Sequence, residues 1–303
     1  MTLSNRAVSR LQQLVSHAPV PPARYTLHEV IGQGGMGTVY RAHDVQLGRD
    51  VAFKVLDERG ALSADASDRL QREATILAQL EHPGIVPVHD VGELENGSAF
   101  YVMRLVRGER LDEHVSRGVG RGDVLRLMLR LCETVAFANA QGVVHRDLKP
   151  GNIMIGPFGE VLVLDWGVAK LLSNALSSAP QGIAPTGTRV SENIATTLDG
   201  MIVGTPGYMS PEQQAGASAH VNQTADVFAL GVIMRELLAH VNEPTNRVLH
   251  AIMNCATASE PSARYASATA MADDVRRWID GQSVAAYRES AVEKLLRLYR
   301  QHQ

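Results

Sequence analysis

The feature that most narrows the possible folds is a change of texture near Gly108. Before it, runs at 25–32, 37–44, 50–57, 84–94 and 98–106 are rich in β-branched and aromatic residues and are separated by turn formers, the pattern of strands. One interruption, at 66–80, places Leu70, Ile76, Leu77 and Leu80 on a single helical face. After Gly108, apolar residues recur at helical spacing over 123–141, 225–241, 248–255 and 267–280. Short strands flanking loops fit 142–156 and 159–167, whereas 173–200 is rich in Ser, Thr, Ala, Gly and Pro and reads as a loop. A small β-rich lobe with one main helix, then a larger and mainly helical lobe, is an α+β arrangement. No internal repeat competes with it.

Composition excludes several function classes. The 303 residues, 45% hydrophobic and 20% charged, are enough for a packed core in one large domain or two small lobes. A formal charge of −3 argues against an electrostatic nucleic-acid binder, as does a pI near 6.4. Two cysteines, Cys132 and Cys255, make no disulfide framework and no zinc motif, and their apolar surroundings suit small buried hydrophobes in a reduced, intracellular chain. No run approaches the roughly 20 apolar residues of a membrane span, and the N-terminus lacks the apolar core of a secretory signal. Residues 1–24 read as an extension: Leu3, Ala7, Leu11, Leu14 and Val15 form a helical stripe, and Ala18-Pro19-Val20-Pro21-Pro22 a linker. Only Lys54, Lys149, Lys170 and Lys294 are lysines among 29 basic residues, a hint that Lys54 and Lys149 are kept for chemistry.

Gly32-Gln33-Gly34-Gly35-Met36-Gly37 can bring backbone N–H groups close to phosphate oxygens. A Rossmann turn would lead into a helix, but Val39-Tyr40-Arg41-Ala42 continues as a strand, so the loop is a hairpin tip. No Lys-Ser/Thr follows the last glycine, which removes the Walker pattern. Lys54 then sits inside the apolar run Val51-Ala52-Phe53, where an ammonium needs a partner. Glu73, on the one helix of the small lobe, is such a partner, although a helical glutamate is more often a solvated charge.

The strongest signal is His145-Arg146-Asp147-Leu148-Lys149-Pro150-Gly151-Asn152. It supplies a carboxylate for a hydroxyl proton, a cation for a phosphate oxygen and an amide oxygen for a metal. Asp165-Trp166-Gly167 follows directly after the apolar run 161–164, and a carboxylate at a strand end suits Mg²⁺ bound to substrate phosphates.

At these residues the chain resembles the eukaryotic-like (Hanks-type) Ser/Thr protein kinases of bacteria, over about residues 25–285. The resemblance implies a bilobal fold with an N-lobe at 25–103, a hinge and C-lobe at 104–288, and an activation segment at 165–212. It implies ATP and Mg²⁺, with Mn²⁺ as an alternative, and a protein substrate presenting Ser or Thr. By matching motif, Ile31, Gly32, Gly34, Gly35, Gly37, Val39 and Ala52 would surround the nucleotide, and Met103, Arg104 and Val106 would line its adenine side. Lys54, fixed by Glu73, would hold the α and β phosphates; Asp147 would orient the acceptor hydroxyl and take its proton; Lys149 would touch the transferred phosphate; Asn152 and Asp165 would hold the metal. Thr205, in Gly204-Thr205-Pro206-Gly207-Tyr208, would position the substrate. His145, Arg146, Glu212, Asp226 and Arg264 would be structural, with Glu212 pairing Arg264 and Asp226 anchoring the catalytic loop. Thr196 and Thr197 are candidate phosphosites, read by an arginine such as Arg146, and self-association would allow phosphorylation in trans.

The sequence departs from the family at three places. Trp166 replaces the usual Phe, the stretch 239–249 is shortened where the family docks substrates or partners, and the activation segment is long. The alternatives are a pseudokinase that binds nucleotide and signals by shape, and a small-molecule phosphotransferase. Lys54, Glu73, Asp147, Asn152 and Asp165 together argue against the first, and the 204–212 segment against the second. Beyond the last kinase helix, 289–303 intersperses Leu295, Leu296, Leu298 and Tyr299 with Lys294, Arg297 and Arg300. A basic amphipathic helix suits the anionic inner face of a membrane. The expectation is a cytoplasmic kinase with peripheral membrane contact, tethered within a longer parent chain. The plainer reading is a helix packed back on the large lobe.

Overall fold

The structure, a computed structural model, describes residues 19–34, 37–55, 80–166, 205, 207–216, 221–241 and 243–301. Outside them lie Gly35, Glu73, Thr196 and Thr197, together with the stripe at 3–15, nearly all of the helix expected at 66–80, and the run 173–200. The chain divides into two compact units, one of residues up to 79 with 87–106 and the other of 80–86 with 107–303.

The first unit is an antiparallel sheet of β1 (Tyr25–Gly34), β2 (Gly37–Asp44), β3 (Arg49–Val55), β4 (Val88–Glu93) and β5 (Ala99–Arg104), in the order β1-β2-β3-β5-β4. The two-residue alternation of a pleated strand decides what each face carries. Val51, Phe53 and Val55 of β3 join Tyr25, Leu27, Tyr40, Ala42, Phe100 and Val102 in one apolar cluster. Phe53 stacks on Phe100 at 4.6 Å and meets Tyr25 edge-on at 5.5 Å. Burying a side chain such as Phe53 contributes about 1.5–3 kcal/mol. The intervening residues Ala52 and Lys54 therefore belong to the opposite face. Arg24 fastens the start of the sheet, with Nε and Nη2 donating to the buried Asp44 carboxylate at 3.0 and 2.8 Å. That guanidinium holds the Asp44 carboxyl well down, at about 2.

The second unit opens with β6 (Glu109–Arg110) and α1 (Leu111–Ser116), then α2 (Arg121–Ala140), β7 (Ile153–Ile155) and β8 (Val161–Val163). It continues through α3 (Pro211–Gln214), α4 (Gln223–Ala239), α5 (Arg247–Ala256), α6 (Ala268–Ile279) and α7 (Ala291–Gln301). Along α2, Val124, Leu125, Met128, Leu131, Cys132, Val135 and Ala138 form the buried stripe, packed against α6 and α4. Helix α4 is buried nearly all round. A Cβ at Gly231 would lie 2.6 Å from Ala256 Cβ, so only glycine lets α5 approach this closely. Asn222, Asn246 and Ser267 cap α4, α5 and α6 by accepting a backbone N–H, each worth about 1 kcal/mol.

Helix bounds follow the sequence periodicity within a few residues, but two details differ. The apolar run at 84–94 is strand only from Val88, because Ile85 bridges Val163 and the Gly84 carbonyl accepts from Val163 N at 2.8 Å, both inside the second unit. Cys132 is buried as expected, whereas Cys255 is half-buried near the end of α5. The shortened stretch after α4 is tied to the start of α2: Arg121 pairs with Glu243 at 3.0 Å, donates to Pro244 O at 3.0 Å and lies over the Trp278 ring. The fully buried Asp274 accepts from Tyr265 Oη and from the N–H groups of Ala285 and Ala286, which leads the chain toward α7. There Arg297 pairs with Glu289 at 2.9 Å, while Val292 and Leu295 remain 67% and 70% exposed.

Candidate active site

In the first unit, strand register collects the expected nucleotide-side residues into one row. Gly32 pairs with Val39, Val39 with Lys54, and Lys54 with Tyr101, while Ala52 pairs with Met103. Lys54 is buried, and its ammonium lies 5.6 Å from the Tyr101 ring centroid, a cation–π arrangement that helps offset the cost of burial. Gly37 opens β2 with φ of 135°, a conformation that L side chains rarely adopt, so glycine is required at the hairpin tip. Ile31, on β1, is 45% exposed. Arg104 N donates to Pro87 O, which fixes the end of β5; Arg104 is exposed and Val106 half-buried.

In the second unit the octet 145–152 runs from the turn after α2 to a single 3₁₀ turn at Pro150–Asn152. Four donors converge on the Asp147 carboxylate. Oδ1 accepts from Thr205 N at 3.0 Å and Thr205 Oγ1 at 3.1 Å; Oδ2 accepts from Lys149 Nζ at 3.0 Å and Asn152 Nδ2 at 3.3 Å. Lys149 Nζ also lies 2.6 Å from Thr205 Oγ1. Burial pushes the Asp147 carboxyl up, but the hydrogen bond and charge of Lys149, with help from Thr205, hold it below the usual carboxylate range. It is therefore ionised at neutral pH.

The octet is anchored from below. Asp226, buried on α4, accepts from His145 N at 2.9 Å, Arg146 N at 2.9 Å and Asn139 Nδ2 at 3.0 Å. Each member of that network satisfies a buried polar group that would be costly to leave unpaired. His145 is fully buried and both ring nitrogens meet backbone: Nε2 donates to Leu164 O at 2.9 Å and Nδ1 accepts from Asp147 N at 3.3 Å. Because a carbonyl only accepts, these partners assign the proton to Nε2 and leave no nitrogen for acid–base work. Trp166 fills the space beside it, with ring centroids 4.9 Å apart and its indole N–H donating to Val163 O.

The donors expected to hold a divalent cation are hard oxygens, which fits Mg²⁺ or Mn²⁺. Asn152 Nδ2 donates to Asp147 O at 2.9 Å, which commits the amide nitrogen to the loop and leaves Oδ1 as its ligand atom. Leu164 N donates to Asn152 O at 2.8 Å, and Asp165 is the next residue along the chain. Asp165 has a φ of 48°, an uncommon left-handed backbone of the kind that gathers at functional sites. Among the described residues no three His, Cys, Asp or Glu side chains gather into a metal cage. A cation here would share its shell with phosphates and water, the usual habit of Mg²⁺.

Glu212 and Arg264 meet in a bidentate pair at 2.7 and 2.7 Å, and Arg264 also donates to three carbonyls, those of Ala258, Ser259 and Thr224. Burial raises the Glu212 carboxyl, yet the guanidinium brings it below its ordinary value overall. Two contacts had no counterpart in the motif reading. Tyr208 Oη donates to Glu236 Oε2 at 2.5 Å, and Gln213 bonds both Ser210 and Arg146. The spacing Ser210-Pro211-Glu212-Gln213 carries the Ser210 half of the second as a capping box, but nothing in it marks the Arg146 half.

Residues 25–278 match the family model for the protein kinase domain. The chain belongs to the protein kinase family. Such kinases use ATP and a divalent metal. The chain is 38% identical over 234 residues to the serine/threonine-protein kinase PknD of Chlamydia muridarum, covering 71% of this kinase chain and 24% of that one. It is 32% identical over 299 residues to PknD of Chlamydia felis, covering 85% and 31%. The chain thus spans about a quarter to a third of the length of these curated relatives. Among solved structures it is similar to the PknI kinase domain of Mycobacterium tuberculosis, with a TM-score of 0.63 and 25% identity over 86% of this chain and 98% of that one. The sheet of one unit and the helices of the other are those of a bacterial Hanks-type kinase domain.

Proposed function

We propose that this chain is a Ser/Thr protein kinase that transfers the γ-phosphoryl group of Mg-ATP to hydroxyls of proteins. The observation that carries the reading is Thr205 Oγ1, a hydroxyl held between the Asp147 carboxylate and the Lys149 ammonium. A site that holds one hydroxyl this way has the chemistry to orient another for attack. Asp147 accepts the acceptor's hydrogen bond and then its proton, and Lys149 balances charge on the transferred oxygens. Lys54, with Glu73, holds the α and β phosphates beneath the backbone of Gly32, Gly34, Gly35 and Gly37. Ile31, Val39, Ala52 and Met103 pack on the adenine, and the backbone of Arg104–Val106 bonds its edge. Asn152 and Asp165 hold the cation, which when bound neutralises and aligns the phosphates. Incubation with labelled ATP, Mg²⁺ and a Ser/Thr-containing protein tests the reading. Labelled phosphoserine or phosphothreonine is expected, and absence of transfer with retained ATP binding would favour a nucleotide-dependent signalling module instead.

The same reading includes autophosphorylation at Thr196 or Thr197, with Thr197 favoured. Arg146 supports it: its Nε is buried with no partner among the described residues, and burial holds the guanidinium below its ordinary pKa. A phosphate would supply an acceptor for that Nε and add to the negative charge that Asp226 already places near the guanidinium. Mixing wild-type chain with the Asp147→Asn variant should place phosphate on Thr197 of the variant in trans. Mass spectrometry finding modification only at Ser177 or Ser178 would sink the assignment.

The tail extends the proposal to a cytoplasmic kinase held at a membrane within a longer parent chain. No helix among the described residues is long and apolar enough to cross a membrane. Helix α7 instead exposes Val292 and Leu295 next to Lys294, a small apolar face with a basic edge. Co-sedimentation with anionic vesicles is expected for the full chain and lost on removal of 289–303. Equal failure of both to bind would remove the idea.

A further inference from the structure

We infer that Gln213 is a positioning residue that sets the aim of Asp147 by holding the carbonyl of Arg146. Arg146 has a φ of 65°, a left-handed backbone that costs a non-glycine residue on the order of 1–2 kcal/mol. Such a conformation persists only where neighbours over-determine it. Two groups do so here, one on each side of the residue. Asp226 Oδ1 takes the Arg146 N–H at 2.9 Å, and the Gln213 amide donates to the Arg146 carbonyl at 2.8 Å. The second bond acts on the peptide unit joining Arg146 to Asp147, whose N–H meets His145 Nδ1 at 3.3 Å. That peptide plane is thus fixed at its oxygen by Gln213 and at its nitrogen by His145. Asp147 leaves the plane directly, so rotation about it would displace the carboxylate.

The other end of Gln213 is committed as well. Its Oε1 accepts from Ser210 N at 3.2 Å and Ser210 Oγ at 3.1 Å, which closes the first turn of α3. Gln213 is 8% exposed, so neither end is exchanged freely for water. A neutral amide can donate to a carbonyl and accept from an N–H together, whatever the pH. Gln213 therefore joins the segment expected to position the substrate to the peptide unit that leads into Asp147, the expected base. The role rests on the kinase reading for its kinetic consequence, and on geometry alone for its effect on the loop.

The two ends separate by substitution. Gln213→Glu keeps the acceptor toward Ser210 but sets a carboxylate oxygen against the Arg146 carbonyl; Gln213→Met removes both bonds at nearly constant length. Both variants are expected to lower kcat about 10- to 100-fold, as sub-ångström misalignment of a reacting group does. KM for ATP should stay within about twofold of wild type, because the nucleotide contacts are elsewhere. A merely structural residue would lower the melting temperature and leave kcat of the folded enzyme unchanged. Hydrogen exchange of the peptide containing 145–148 supplies a readout independent of turnover, and Gln213→Glu should accelerate it. Transfer absent in wild type would overturn the kinase reading and leave this second measurement to decide. Wild-type exchange in Gln213→Glu, or wild-type kcat in an active enzyme, would overturn the role of Gln213.

Discussion

Asp147→Asn is expected to lower phosphoryl transfer by about 10²–10⁴-fold while leaving ATP affinity nearly unchanged. The substitution is almost isosteric, so its effect is chemical. Each carboxylate oxygen of Asp147 now accepts two hydrogen bonds, from Thr205 on one side and from Lys149 and Asn152 on the other. An amide replaces one of those oxygens with an NH₂ group that faces donors, and it cannot take a proton. The lowered pKa of the Asp147 carboxyl bears on its role. A carboxyl held below its usual range is a weak base at equilibrium, so in the proposed role it would act mainly by orienting the acceptor. Because its folded value is depressed, the ionised form gives its stabilisation at pH above the unfolded value of about 3.9, and loses it only as pH falls through the lower folded value. An acid limb of the rate profile near pH 6 must therefore come from another group. Titration calorimetry with ATP beside a labelled-ATP transfer assay checks both halves. Wild-type turnover in the variant would remove Asp147 from the mechanism.

The strands of the first unit are legible because one face is buried. Val51, Phe53 and Val55 announce a two-residue period, and the same period places Lys54 on the other face before any contact is known. The octet is legible because its side chains differ in kind and each suits a separate chemical task. Backbone partners leave no such mark. The Gln213 contact depends on a carbonyl at Arg146, and every residue has a carbonyl. Asp274 reads as an ordinary helical charge, since its donors are the N–H groups of Ala285 and Ala286 beyond the helix end. Strand β6 and helix α1, of 2 and 6 residues, are too short for periodicity to detect. The run at 84–94 looks uniform because hydrophobicity records burial and not the identity of the covering unit. Ile85 and Val88 are equally apolar yet pair in different sheets.

Asp226→Ala should destabilise the second unit by about 3–5 kcal/mol, and it should disable transfer as well. Its carboxylate satisfies three donors, two of them backbone N–H groups, in a place where water does not enter freely. An orphaned buried donor costs about 1–3 kcal/mol, and partial relaxation keeps the total below the simple sum. For a unit of this size the loss lowers the melting temperature by on the order of 10 °C. The kinetic effect has a separate origin. Without the acceptor at its N–H, Arg146 has less reason to keep a left-handed backbone, and Asp147 follows it. Asp226→Asn separates the two effects, because it retains one acceptor oxygen. That oxygen can stay with His145 and Asn139 while the new NH₂ faces the Arg146 N–H. The asparagine variant should therefore melt closer to wild type than the alanine variant, yet transfer phosphate nearly as poorly. Thermal melting and single-turnover rates, taken below both transitions, distinguish these outcomes. Full turnover by a well-folded Asp226→Asn chain would mean that Asp226 supports the fold without aiming the catalytic loop.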